Sequence, residues 1–216
     1  MALTQDALDA LWDFSNPADS LARFEVALAD TDGPEERAEL QTQRARALGL
    51  LERYAEADEA LEAIVTSGAA LVATRVALER GRVRNSAGDP ESAIGYFREA
   101  EQRAVEAGSV FLRVDALHML ALADAERAES WTSAALAALA TSGDPRTQRW
   151  QVALHNNAGW SLFDAGRLDE ALARFELARQ AALRWGTPRQ VELADEALAE
   201  CRAALGNAAA TVSVKG

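Results

Sequence analysis

The sequence predicts an all-α protein assembled from repeated helical hairpins, and three observations carry that prediction. The composition is helix-forming: 49 alanines, abundant leucine, glutamate and arginine, and few β-branched residues. The five prolines, Pro17, Pro34, Pro90, Pro145 and Pro188, follow Asn16, Gly33, Asp89, Asp144 and Thr187. Each pair reads as an N-cap with proline at the first helical position, where a missing N–H costs nothing. Finally, the segments starting at Gly81 and Gly159 share the pattern G-x6-G-x4-A-x3-F-x2-A. A repeat of that length redefines the whole fold.

The elements follow in chain order. Acids at Asp19, Glu35, Glu36 and Glu91 sit in predicted first turns, where they complement the helix dipole. Glycines at Gly33, Gly68, Gly88, Gly108, Gly143, Gly166, Gly186 and Gly206 punctuate runs whose apolar residues recur three and four apart. The strong copies superpose Gly88, Ala93, Phe97 and Ala100 on Gly166, Ala171, Phe175 and Ala178. Weaker copies pass through Ala45, Leu48, Tyr54, Ala57 and Leu61, and through Ala116, Met119, Ala128 and Ala135, with Thr132 at the aromatic position. The first copy runs through Leu8, Leu11, Ser20, Phe24 and Ala27, with Leu8 where a small residue is wanted. The first anchors, Leu8, Ala45, Gly81, Ala116 and Gly159, are spaced 37, 36, 35 and 43 residues apart. Small residues at the anchors let backbones approach, and the large residue fills the space between one unit and the next. Such units bury their apolar faces by stacking.

This pattern resembles the tetratricopeptide repeat (TPR) family. The segment Asn156-Asn157-Ala158-Gly159-Trp160 is similar to one found in many bacterial TPR proteins. The tryptophan often carried near the start of the first helix is replaced by Ala77 and His155. The resemblance implies a TPR-like α-solenoid: a right-handed superhelix of about five hairpins over residues 1–206, with Pro188 to Leu205 as a capping helix. Another α-solenoid class is the alternative. Residues 207–216 lose periodicity and read as a flexible C-terminal tail, with a short strand as the other option.

The resemblance also implies a concave groove lined by the first helix of each repeat. Groove positions fall at Asp6, Asp9, Trp12, Asp13, Gln43, Arg46, Arg75, Arg82, Asn85, Arg113, Leu117, Asn156, Asn157, Trp160 and Phe163. From these, Arg46, Arg75, Arg82, Asn85, Arg113, Asn156, Asn157, Trp160 and Phe163 form the candidate peptide-binding set. Arginine offers a planar fork for carboxylates, asparagine can bond both sides of a peptide, and Trp160 with Phe163 could anchor an apolar side chain. The lysine–asparagine clamp by which some TPR domains hold chaperone tails is only partly present, since groove lysines are lacking. Competing readings stand beside each assignment. Arg46, Arg75 and Arg82 could pair with Glu39, Glu79 or other neighbours, and Trp160 could be core.

Other classes fit poorly. One cysteine, Cys201, excludes an intramolecular disulfide and a cysteine-cluster metal site, and His118 with His155 are too few for a histidine centre. A net charge of −12, with all but one basic residue arginine, argues against a nucleic-acid partner. The first residues lack the basic and apolar runs of a signal peptide, and Ser130 to Gly143 is too short to span a bilayer. A cytoplasmic protein without membrane partner, metal or cofactor is expected. No nucleophile accompanies His155 at a recognisable spacing, and phosphate-loop, dinucleotide, nucleophile-elbow and zinc-protease motifs are absent. The expected function is therefore not enzymatic. It is a protein- or peptide-binding adaptor or scaffold, its partner carrying an acidic or carboxylate group. The alternatives are a regulatory sensor of a signalling peptide or small molecule and a self-associating scaffold.

Overall fold

In the computed structural model, every regular element among the described residues is helical. The structure describes residues 5–65 and 70–214, with side chains up to residue 207. Gly68, expected between helices, and the tail residues 215 and 216 lie outside the described residues.

The chain divides into two compact units, Met1–Glu126 and Arg127–Gly216. The first holds α1 (Gln5–Leu11), α2 (Pro17–Ala29), α3 (Pro34–Leu50), α4 (Tyr54–Glu62), α5 (Ala70–Ser86), α6 (Pro90–Glu106) and α7 (Val110–Ala123). Each of these helices packs on the next, and α5 also packs on α3 and on α7. The second unit holds α8 (Ala128–Leu139), the single turn α9 (Pro145–Gln148), α10 (Trp150–Asp164), α11 (Leu168–Trp185) and α12 (Pro188–Val214). There α10 packs on α8, α11 and α12. The fourth predicted copy is divided, with α7 in one unit and α8 in the other. Its sequence has neither glycine anchor nor aromatic: Thr132 stands where the strong copies place phenylalanine.

All five X-Pro pairs start helices. Asn16, Asp89 and Asp144 accept bonds from the backbone N–H three residues on, at 3.3, 3.1 and 2.8 Å, and the Thr187 hydroxyl does the same for Gln190 at 3.3 Å. Gly33 starts α3 without a side-chain cap. Helix ends follow an equally local rule. Gly88, Gly108 and Gly166 adopt left-handed backbone, and the following N–H reaches back to close the last turn, as Asp89 N to Arg84 O at 2.9 Å. After α3 the same position is taken by Glu52, with φ of 60°, and Arg53 N bonds Leu48 O at 3.0 Å. Glutamate pays a steric penalty there that glycine avoids. Glu52 is exposed, so Glu52→Gly is expected to raise stability by about 1 kcal/mol, read as a higher urea midpoint with unchanged slope.

The alanine excess has a positional cause. Ala45, Ala57, Ala93, Ala100, Ala116, Ala135, Ala171 and Ala178 are fully buried, as are Phe24, Leu61, Phe97 and Phe175. The two anchor glycines lie directly under the phenylalanines of their own hairpins. A Cβ at Gly81 would meet Phe97 Cδ1 at 2.5 Å, and one at Gly159 would meet Phe175 Cε1 at 2.5 Å. Over Phe175, α12 contributes Ala197, Leu198 and Cys201. The α12 backbone continues as helix through Asn207 to Val214, into the stretch whose sequence reads as a tail.

Candidate functional site

In the first unit, the successive helices α3, α5 and α7 bring charged residues together at one level. Arg82 of α5 binds two carboxylates at once, Glu79 one turn earlier and Asp115 of α7. Both acids are almost fully buried, at 2% and 4% exposed. Burial works to raise the Asp115 carboxyl, but the Arg82 and Arg46 charges outweigh it and hold the group below the ordinary aspartate range. Burial likewise opposes the Arg82 charge, and Asp115 with Glu79 outweighs that, so its pKa is raised. Arg75 pairs with Glu39 of α3 and donates to Gln5 Oε1 of α1 at 2.6 Å. Arg113 pairs with Glu101 of α6 at 2.7 Å.

Arg46 is different. Its guanidinium lies 5.6 Å from the centroid of the Trp12 ring and 5.3 Å from that of Phe14. Those rings stack on each other at 4.6 Å, within 2° of parallel. Trp12 is itself fixed by donating from Nε1 to Gln43 Oε1 at 3.0 Å and by meeting Phe24 edge-on. The Arg46 pKa is lowered by burial first and then by Arg82, with Arg75 adding to the effect and Glu79 and Asp115 opposing it. Arginine stays charged regardless. Among the described residues no acceptor hydrogen-bonds this guanidinium, and one acceptor beside it, Glu79 Oε2, is buried without a bond. Asn85 lies half-buried in the last turn of α5. Leu117, expected in the groove, is 2% exposed and belongs to the core. A one-residue error in helical phase swings a side chain by about 100°, enough to move it from groove to core.

In the second unit, Asn156 and Asn157 of α10 are half-buried and their amides make no hydrogen bond among the described residues. Trp160 meets Phe163 edge-on at 5.3 Å and Phe175 edge-on at 5.0 Å. Trp160 and Phe163 thus pack against the cluster of Phe175, Leu198 and Cys201. His155, one turn before Gly159, is 8% exposed, and burial followed by the Arg174 charge lowers its pKa to about 4. Its imidazole is neutral at physiological pH. His118 is also lowered by burial, with Asp115 opposing. The Cys201 thiol donates to Leu168 O at 3.4 Å, and burial raises its pKa, away from nucleophilic use.

No cluster of histidine, cysteine and acidic residues able to hold a metal occurs among the described residues. Nor is any helix among them long and apolar enough to cross a membrane. The sequence missed Asp115 as the partner of Arg82. The available signal was their separation of one repeat, which puts them on successive first helices.

No protein-family model matches the chain, and no curated protein matches it. Among solved structures it is similar to the crystal structure of BtubC (BKLC) from P. vanneervenii, with a TM-score of 0.67 over 93% of this chain and 85% of that one. Identity is 15%, so the likeness is one of fold alone.

Proposed function

We propose that the chain is a non-catalytic module of the TPR class that binds a partner protein or peptide through an acidic side chain or terminal carboxylate, with Arg46 as the cation that receives it. The observation that carries this reading is the state of Arg46. Its guanidinium has five N–H donors and, among the described residues, no acceptor bonded to it, and its plane is supported by Trp12 and Phe14. Arg75, Arg82 and Arg113 already bind carboxylates of their own chain, so their part is to position and to tune the charge around Arg46. Asn85 is an amide within the same helix as Arg82 and suits a peptide backbone. In the second unit, taken by itself, Asn156 and Asn157 are amides of the same kind, and Trp160 and Phe163 pack on the Phe175 cluster. Support for the TPR class comes from the paired contacts Gly81–Phe97 and Gly159–Phe175, one per unit, at matching positions of the sequence pattern.

The test is an array of acidic octapeptides, and their amide-for-acid counterparts, probed with the wild-type protein and with Arg46→Ala. Loss of a charged hydrogen bond costs about 1.5–3 kcal/mol, so selected acidic peptides should bind roughly tenfold to a hundredfold more weakly to the variant. Among the described residues Arg46 has no ion-pair partner, but it packs on Trp12 and Phe14 and its charge acts on Asp115. The variant's melting temperature is therefore measured beside its binding to show that it is folded. Equal binding by a folded Arg46→Ala protein would overturn the assignment.

A further inference from the structure

The second unit contains a cleft of about 510 Å³ on a face of α10 distinct from the asparagine pair, bounded by α9, α10, α11 and the loop after α8. Its size suits a small ligand or the end of a peptide. Its chemistry is selective. Gln148, Gln151 and His155 enter from one side at helical spacing, and Gln180, Arg184 and Trp185 from the other. Gln148 is fully employed: Nε2 donates to Leu139 O at 2.8 Å and to Ser142 O, and Oε1 accepts from Gln151. That fixes the Gln151 amide with its oxygen still open. Gln180 is exposed and makes no hydrogen bond among the described residues.

The charge in the cleft is one-sided. Among the described residues no acidic side chain lines it, although the chain carries 34 acids. The two acids next to lining residues along the chain are employed elsewhere: Asp144 accepts from the N–H and hydroxyl of Thr147, and Glu176 pairs with Arg202 of α12 at 3.5 Å. Arg184 stands with its guanidinium 4.5 Å from the Trp185 ring centroid and, among the described residues, with no carboxylate in contact. Stacking on indole orients the guanidinium plane and leaves its N–H edge available. His155 is more than nine-tenths buried against this cleft, and neither ring nitrogen finds a partner among the described residues; Nδ1 is fully enclosed. Nε2 keeps accessible surface and is the nitrogen a ligand in the cleft can reach, and a largely buried polar side chain without a bond is costly unless something supplies it.

We propose that this cleft binds a carboxylate with a neighbouring amide, either the C-terminal residue of a peptide or an N-acylated amino acid. Arg184 takes the carboxylate, and Gln151, Gln180 and His155 take the amide. A single guanidinium beside neutral amide and imidazole groups matches a monoanion. A phosphate dianion would call for further cations, and among the described residues none besides Arg184 lines the cleft.

The experiment is a titration of the full chain, labelled with 15N, by acetyl-Ala-Ala-Ala, the same peptide as its C-terminal amide, N-acetylalanine and inorganic phosphate. The readouts are the Arg184 Nε, glutamine side-chain and His155 ring signals. The acid-ended tripeptide should shift all three saturably. Amidation of its end, or Arg184→Gln, should weaken binding at least about tenfold. Arg184 is exposed, so the variant should keep its fold, which its unchanged backbone spectrum would verify. N-acetylalanine binding as tightly as the tripeptide supports a free small acid as ligand, and tighter tripeptide binding supports a peptide end. Equal shifts by acid and amide forms, wild-type binding by Arg184→Gln, phosphate binding as tightly as the tripeptide, or no saturable shift would each overturn the proposal. Arg46→Ala should leave this titration unchanged, which separates it from the peptide-array result.

Discussion

Phe97→Ala is expected to destabilise the first unit by about 3–5 kcal/mol, the upper range for truncating a buried ring. The ring is fully buried and lies against the backbone of α5 at Gly81. Removing it leaves a void bounded by two helix backbones, α5 and α6, which cannot close without moving their other contacts. The same geometry makes the reverse substitution informative. Gly81→Ala ought to gain helix propensity of about 1 kcal/mol, yet its methyl would collide with the ring, and overpacking of this kind costs about 1–3 kcal/mol. A net loss is therefore expected. Adding Phe97→Leu to Gly81→Ala should recover part of it, so the double mutant falls short of the sum of the singles. Trp12 is the tryptophan of this unit, but fluorescence of the whole chain mixes both units, and native-state hydrogen exchange on α5 and α6 is the cleaner measurement. A Gly81→Ala protein more stable than wild type would refute the packing explanation.

Asp115→Ala should cost a comparable amount, about 3–5 kcal/mol near neutral pH, because it removes one of the two carboxylates that neutralise a buried arginine. Glu79 remains, so Arg82 keeps one partner and the lower end of that range is the natural expectation. The pH dependence fixes the sign. The folded Asp115 carboxyl titrates below its unfolded value of about 3.9, so its contribution is complete above that pH and fades as the pH falls through the folded pKa. The difference between wild type and Asp115→Ala should consequently narrow on going from pH 7 to strongly acidic solution, as measured by urea midpoints. A constant difference would show that lost packing, rather than lost charge, is responsible. Replacing Glu79, Arg82 and Asp115 together by apolar residues of similar size should be far milder than the single change.

What was legible in the sequence was whatever depends on a few neighbouring residues. Asn16, Asp89 and Asp144 are caps because their side chains reach an N–H three residues on, and Gly88 and Gly166 close helices because their backbone is left-handed. Glycine and phenylalanine sixteen residues apart, as at Gly159 and Phe175, mark the repeat, but the sequence reading sets the phenylalanine between one unit and the next, whereas it lies against the glycine of its own hairpin. Charged side chains were harder. The family resemblance puts Arg75 and Arg82 at groove positions, but a long side chain can turn toward any acid nearby, and the choice of Asp115 depends on how α7 lies on α5. Glu52 was missed for the opposite reason: the left-handed turn closes there without the glycine that usually announces it. The cleft in the second unit was invisible because its walls come from four separate segments, and none of its residues is unusual alone.

Cys201 has a consequence of a different kind. It is completely covered where α12 lies over Phe175, and its thiol proton is held by the Leu168 carbonyl. A reagent in solution can reach that sulfur only during the moments when the final helix lifts away. The chain thus carries, in its one thiol, an internal clock for the detachment of its last helix, and whatever holds that helix down slows the clock.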